Sequence, residues 1–299
     1  MTRQLVLVHG RSQQGKDPAQ LKREWLDVLD VGLAKNGLTL PIAEDDVRFP
    51  FYGDTLINLM DGRSPEQAAD VIIRGDSDDK ELELFLKQVM DEVRQRTGVT
   101  EQEIAEVGGA EVVEKGPLDW KWVRTAMKVI DRRTQHGSAL SIFLATHDVY
   151  YYLVDKIAKD DIDEGVSAAL TPGVETVVVG HSLGTVVTHN LLRERGEKAG
   201  WVVPQYVTLG SPLAVTRIRK VIVPPRWPAC VSRWFNARDE RDVVALYPLT
   251  PDHFAVGDQA PGIVNKSDVR NDTPNRHGIS GYLSDADVAR VIHDALVRD

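Results

Sequence analysis

Thr176-Val-Val-Val-Gly-His-Ser-Leu-Gly184 is the stretch on which the fold turns. A short continuous apolar run bounded by turn residues predicts a strand buried on both faces. Gly180-His181-Ser182-Leu183-Gly184 then fits the G-x-S-x-G pattern, and Thr185–Arg195 reads as helix. A serine at the apex of a strand–turn–helix needs small residues two positions away on either side, because the turn is too tight for side chains there. Its Oγ then stands above the sheet, within reach of a base. The helix that follows aims backbone N–H groups and its positive dipole end at developing oxyanion charge. Ser182 is therefore the candidate nucleophile and the Leu183 amide the first candidate oxyanion donor. The bland alternative is an ordinary turn that contains a serine.

Outward from this point, strand and helix signals alternate along the chain. Leu5–Val8 predicts a buried strand. Asp17-Pro18 reads as an N-cap with proline at the first helical position, before Leu21, Trp25, Leu29 and Leu33 at helical spacing and Gly37 as terminator. Val47–Tyr52 is the next strand candidate. Residues 53–140 carry helical patterns only: one opened by Ser64-Pro65, one marked by Leu82, Phe85, Leu86, Val89 and Val93, one capped by Thr100 with Glu103, and Trp120–Arg133. This stretch is too long for a connection and reads as a helical cap or lid insertion. A helix from Ile142 into the acidic stretch Asp160–Glu164 follows. Strands are expected at Val203–Leu209, Val231–Phe235 and, more weakly, Gly262–Val264, and a final helix at Asp285–Val297. The expected fold class is α/β: a mostly parallel central sheet with helices on both faces, in one domain spanning 1–299.

Composition narrows the function classes. The formal net charge of -9 disfavours phosphate backbones, so nucleic acid is not an expected partner. No segment reaches the ~20 apolar residues of a membrane span, and the apolar run at the N-terminus is too short for a signal peptide. Cys230 is the one cysteine, which excludes an internal disulfide and reads as a structural thiol. A cytoplasmic location is the resulting expectation. No metal-ligand spacing such as His-Glu-x-x-His occurs, and no cofactor is expected.

Gly10-Arg-Ser-Gln-Gln-Gly-Lys-Asp17 approaches the G-x-x-x-x-G-K-[ST] phosphate loop, but Asp17 stands where the magnesium-binding hydroxyl belongs. The favoured reading places His9-Gly10 at the end of the first strand, with the Arg11 amide as second oxyanion donor. His9, Gly10 and His181 are candidate substrate-binding residues. Among the acids, Asp242 is preferred because it directly precedes Val243-Val244, with Asp239 as the rival. His277 is the expected base, on a polar loop before the last helix. His253 is second choice, His181 and His189 read as packing or helix residues, and His147 beside Asp148 as a helical histidine or a pocket residue.

Taken together, His9-Gly10, Phe49-Pro-Phe-Tyr-Gly-Asp54, Gly180-His-Ser-Leu-Gly184, Leu209-Gly-Ser-Pro-Leu213, Asp242-Val-Val244 and His277-Gly-Ile-Ser-Gly-Tyr-Leu283 resemble the α/β-hydrolase superfamily. The likeness is to its lipase and esterase branches, including lecithin–cholesterol acyltransferase and GPI-inositol deacylase-like members. It implies acyl transfer to water through an acyl-serine, from a small-molecule or lipid ester. Two features depart from the family pattern. The sheet starts at the strand usually third, and the long insertion matches no familiar cap. Thioester or amide cleavage, acyl transfer to an alcohol, a non-catalytic binding protein on the same fold and a phosphate-loop nucleotide binder are the alternatives. Substrate and oligomeric state are not written in the sequence.

Overall fold

The computed structural model describes residues 3–10, 15–53, 67, 71, 72, 74, 79–134, 138–222 and 224–297. Six strands form one parallel sheet: β1 (Gln4–Val8), β2 (Val47–Arg48), β3 (Thr176–His181), β4 (Tyr206–Leu209), β5 (Trp234–Ala237) and β6 (Val264–Lys266). Their spatial order is β2-β1-β3-β4-β5-β6. The chain thus winds from β1 outward to β2, then returns across β1 to β3 and continues the other way. This reversal between β1 and β3 is the place where open parallel sheets hold their ligands, at the carboxyl ends of the strands.

Alternation of side chains explains the central strands. Leu5 and Leu7 with Val177 and Val179 point into one apolar cluster, and Val6, Val8 and Val178 into the other. Each buried Val or Leu is worth about 1.5–3 kcal/mol, so burial on both faces commits these runs to the middle of the sheet. The first face is covered by α1 (Pro18–Ala34) and, at the other end of the chain, α11 (Ala286–Val297). Asp17 caps α1 as expected, its side chain accepting from the Ala19 and Gln20 amides, and Gly37 takes a φ of 68° just past the helix.

The second face carries α8 (Leu183–Arg195) and a helical run between β2 and β3: α2 (Lys80–Arg96), α3 (Glu101–Gly108), α4 (Ala110–Lys115), α5 (Trp120–Thr134), α6 (Ser138–Val154) and α7 (Lys156–Ser167). Phe85, Trp122 and Phe143 of this run share one cluster with Val6 and Val178 of the sheet. Thr100 and Glu103 form a reciprocal capping box at α3. Asp155 breaks the long Ile142–Glu164 pattern into two helices by capping the Ala158 amide at 2.9 Å. The Ser64-Pro65 helix start lies outside the described residues. Short elements among the described residues are α9 (Thr216–Val221), α10 (Ile279–Leu283) and a 3-10 turn at Glu44–Asp46. Among the described residues no helix is long and apolar enough to cross a membrane.

Several strands differ from their sequence expectation for identifiable reasons. Pairing at Val47–Tyr52 stops after Arg48, because Pro50 has no amide to offer and the Tyr52 amide donates to His9 Nε2 instead, at 3.1 Å. Pro204 likewise interrupts Val203–Leu209, leaving Val203 only a bridge to Val231 while the ladder proper begins at Tyr206. The fifth strand is displaced from Val231–Phe235 to Trp234–Ala237. The sixth begins at Val264, after Gly262 turns at a φ of 90°.

Candidate active site

Ser182 lies between the last residue of β3 and the first of α8, with φ 54° and ψ -125°. A left-handed φ at a non-glycine residue costs about 1–3 kcal/mol and persists only where the surroundings over-determine it. Here they do. The Ser182 amide donates to the Leu209 carbonyl at 3.0 Å, and the Thr185 amide and hydroxyl both donate back to the Ser182 carbonyl, at 2.9 and 2.7 Å. The flanking glycines answer a steric demand. A Cβ at Gly184 would meet the Val8 carbonyl oxygen at 2.4 Å, and one at Gly180 would meet the Gly184 carbonyl oxygen at 2.8 Å. Across the strand reversal, a Cβ at Gly10 would meet the Ser182 Cβ at 2.8 Å.

His277, on the loop before α10, faces this serine. Its Nε2 is 2.8 Å from Ser182 Oγ, and its Nδ1 is 2.7 Å from Asp242 Oδ2. Because the carboxylate can only accept, Nδ1 carries the proton and Nε2 is left to accept from the serine hydroxyl. Ser182, Asp242 and His277 are all buried. Gly210, at a φ of 57°, makes room for the imidazole: a Cβ there would lie 3.1 Å from His277 Cε1. Asp242 is in turn held by two further donors. The Val244 amide reaches Oδ1 at 2.9 Å, and the Tyr282 hydroxyl reaches Oδ2 at 2.6 Å.

The rival acid occupies a different network. Asp239 accepts from Arg241 Nε and Nη2, at 2.9 and 2.6 Å, and from the amides of Arg241 and Asn271, both at 2.8 Å. Burial alone would push its carboxyl up, but these donors outweigh it and hold it below the usual value. Asn271 continues the brace, donating to the Gly278 carbonyl at 2.8 Å. Asp239 therefore ties the turn bearing Asp242 to the loop bearing His277.

His181 donates through Nε2 to the His277 carbonyl at 2.8 Å, with ring centroids 4.9 Å apart. Burial holds it well below the ordinary histidine value, so it stays a neutral donor. His9 is wholly buried. Its Nδ1 donates to the Gly10 carbonyl at 2.6 Å while Nε2 accepts from Tyr52, and burial lowers its pKa to about 4. With both nitrogens engaged and Phe49 and Tyr52 stacked on its ring, His9 supports the Gly10 turn from behind. The Leu183 amide sits at the first residue of α8, where the helix has no carbonyl to accept it. Arg11 lies outside the described residues.

The remaining histidines are placed elsewhere. His253 bonds Thr250 Oγ1 and stacks on Tyr247. His189 packs against Trp234 and Phe254 within α8, its pKa lowered to about 3 chiefly by burial. His147 pairs with its neighbour Asp148, buried on α6. Tyr282 is the site residue that sequence reasoning did not single out. As an aromatic in the short α10 its pattern reads as core, and only the folded chain reveals its hydroxyl on the Asp242 carboxylate. No family model, curated protein or solved structure matches this chain.

Proposed function

We propose that the chain is a serine hydrolase of the α/β-hydrolase type that cleaves a carboxylic ester through an acyl-serine intermediate. The observation that carries this reading is the relay Ser182–His277–Asp242, with contacts of 2.8 and 2.7 Å, at the carboxyl end of β3 beside the strand reversal. In the proposed first step, Ser182 Oγ attacks the substrate carbonyl as His277 Nε2 takes its proton. Asp242 stabilises the imidazolium that forms and keeps its orientation; such general-base help is worth about 10²–10⁴-fold. The tetrahedral oxyanion is held by the Leu183 amide, a contact worth about 10²–10³-fold; the second donor expected from the sequence, the Arg11 amide, lies outside the described residues. His277 then protonates the departing alcohol, and a water activated by the same imidazole releases the acid. In this reading the helical insertion within 53–140 acts as the cap that excludes water from the acyl-enzyme.

A fluorophosphonate probe tests the assignment. The wild-type chain is expected to be labelled and Ser182→Ala to be spared, with both variants folded by circular dichroism. Equal labelling of the two would end the proposal. Turnover of matched ester, thioester and anilide substrates then ranks the acyl class.

A further inference from the structure

A cavity of about 480 Å³ opens beside the Asp242 turn, and its lining includes neither Ser182 nor His277. Among the described residues, four arginines and two carboxylates, Glu240 and Asp242, line it, in a protein whose net charge is -9. Arg96 and Arg133 come from the ends of α2 and α5, while Arg241 and Arg276 come from the loops that carry Asp242 and His277. Three of the arginines have carboxylate partners that do not line the cavity: Arg133 with Glu103 at 2.8 Å, Arg241 bidentate with Asp239 at 2.9 and 2.6 Å, and Arg276 with Asp272 at 3.0 Å. Arg133 Nη1 also donates to the Thr97 and Gly98 carbonyls, and Arg276 Nη1 to the Asn271 carbonyl. Arg96 makes no ion pair among the described residues. It only reaches the Leu246 carbonyl at 3.4 Å and lies over the Tyr247 ring. Of the two carboxylates in the lining, Asp242 is occupied by its own donors, and Glu240 is largely exposed and turned to Arg238. Arg276, moreover, is held at a φ of 59°, a left-handed conformation that Ser182 alone shares among the described non-glycine residues.

We infer that this cavity binds a small oxyanion, a phosphate or carboxylate group, clamped between the helical insertion and the two catalytic loops. Guanidinium groups keep unused N–H donors after one ion pair, and two or more converging forks match the oxygens of such an anion. An occupant would supply Arg96 with the kind of anionic partner that Arg133, Arg241 and Arg276 already have. It would also join Arg96 and Arg133 to residues directly adjacent to Asp242 and His277, so occupancy would stiffen the cap against the catalytic loops. This consequence rests on the hydrolase reading; the binding itself does not.

Calorimetric titration of inorganic phosphate into the full chain, at ionic strength balanced with chloride, tests the site. Saturable binding to wild type is expected, weakened about tenfold or more in Arg96→Gln. Arg276→Gln is the second variant should the first fail to fold. No saturable binding to wild type, or equal affinity in wild type and folded variants, would overturn the inference. A second arm locates the anion's source, using a neutral ester and a matched ester ending in a carboxylate. If the group belongs to the substrate, phosphate competes with the anionic ester alone and Arg96→Gln slows only that ester. If it is a free effector, phosphate changes turnover of the neutral ester in wild type but not in Arg96→Gln. Phosphate binding without fluorophosphonate labelling would leave the cavity standing and remove the hydrolase reading, and the reverse result would do the opposite.

Discussion

Exchanging each aspartate near the relay for asparagine separates the two networks, because the substitution keeps shape and removes charge. In Asp242→Asn, Oδ1 can still accept from the Val244 amide, now at 2.9 Å. The new Nδ2 then points its hydrogens at His277 Nδ1 and the Tyr282 hydroxyl, which donate to Oδ2 across 2.7 and 2.6 Å in the native protein. The imidazole escapes this clash by moving its proton to Nε2, which turns a hydrogen-bond acceptor for Ser182 into a donor. A base in the wrong tautomer costs about 10⁴ in kcat, or roughly 5 kcal/mol of barrier. Asp239→Asn leaves the tautomer alone. It loses about two charged hydrogen bonds from Arg241 and Asn271; since Arg241 is half exposed, the expected loss is about 2–4 kcal/mol of stability. The assay pairs kcat with a neutral p-nitrophenyl ester against urea unfolding of both variants, with kcat read well below each melting temperature. Asp242→Asn should fall by about four orders of magnitude, and Asp239→Asn by less than about tenfold. The reverse ranking would refute the reasoning and move the acid to Asp239.

Two further outcomes follow from the same geometry. Gly184→Ala places a Cβ 2.4 Å from the Val8 carbonyl oxygen and 2.7 Å from that of His9. Backbone cannot yield there cheaply, so a loss of about 2 kcal/mol or more is expected in urea unfolding, with slower fluorophosphonate labelling of Ser182; unchanged stability and labelling would show that the turn has slack. In acid, His9, His181 and His189 are neutral in the fold and protonate in the unfolded chain, where the ordinary value is 6.5. Their contribution is fully present above pH 6.5 and declines as pH falls toward about 4 for His9 and about 3 for His189, at up to roughly 1.4 kcal/mol per pH unit for each ring. Unfolding free energies between pH 7 and 5 should slope accordingly, and His189→Gln should remove about one proton from that slope; a flat profile would contradict buried neutral rings.

What could be read from the one-dimensional chain was whatever depends on neighbours in sequence. Runs such as Leu5–Val8 and Val177–Val179 announce doubly buried strands through hydrophobicity alone. Asp17-Pro18 and the Thr100–Glu103 pair announce helix starts through local hydrogen bonding, and the glycines around Ser182 announce a sharp turn. These signals sufficed for an α/β architecture and a candidate serine. Asp242 and His277 could be chosen only by position relative to expected strands, a weaker argument, and two strand ends slipped where Pro50 and Pro204 interrupt the ladder. Tertiary structure alone decided the rest. The division of labour between Asp242 and Asp239, three residues apart, comes from donors contributed by residues 271, 277 and 282. Tyr282 on Asp242, His181 on the His277 carbonyl and the described arginines around one cavity are likewise pairings between distant segments. Periodicity records which face a residue buries, but hydrogen bonds and ion pairs form between particular atoms, and which atoms meet is set only when the sheet and its helices close around them.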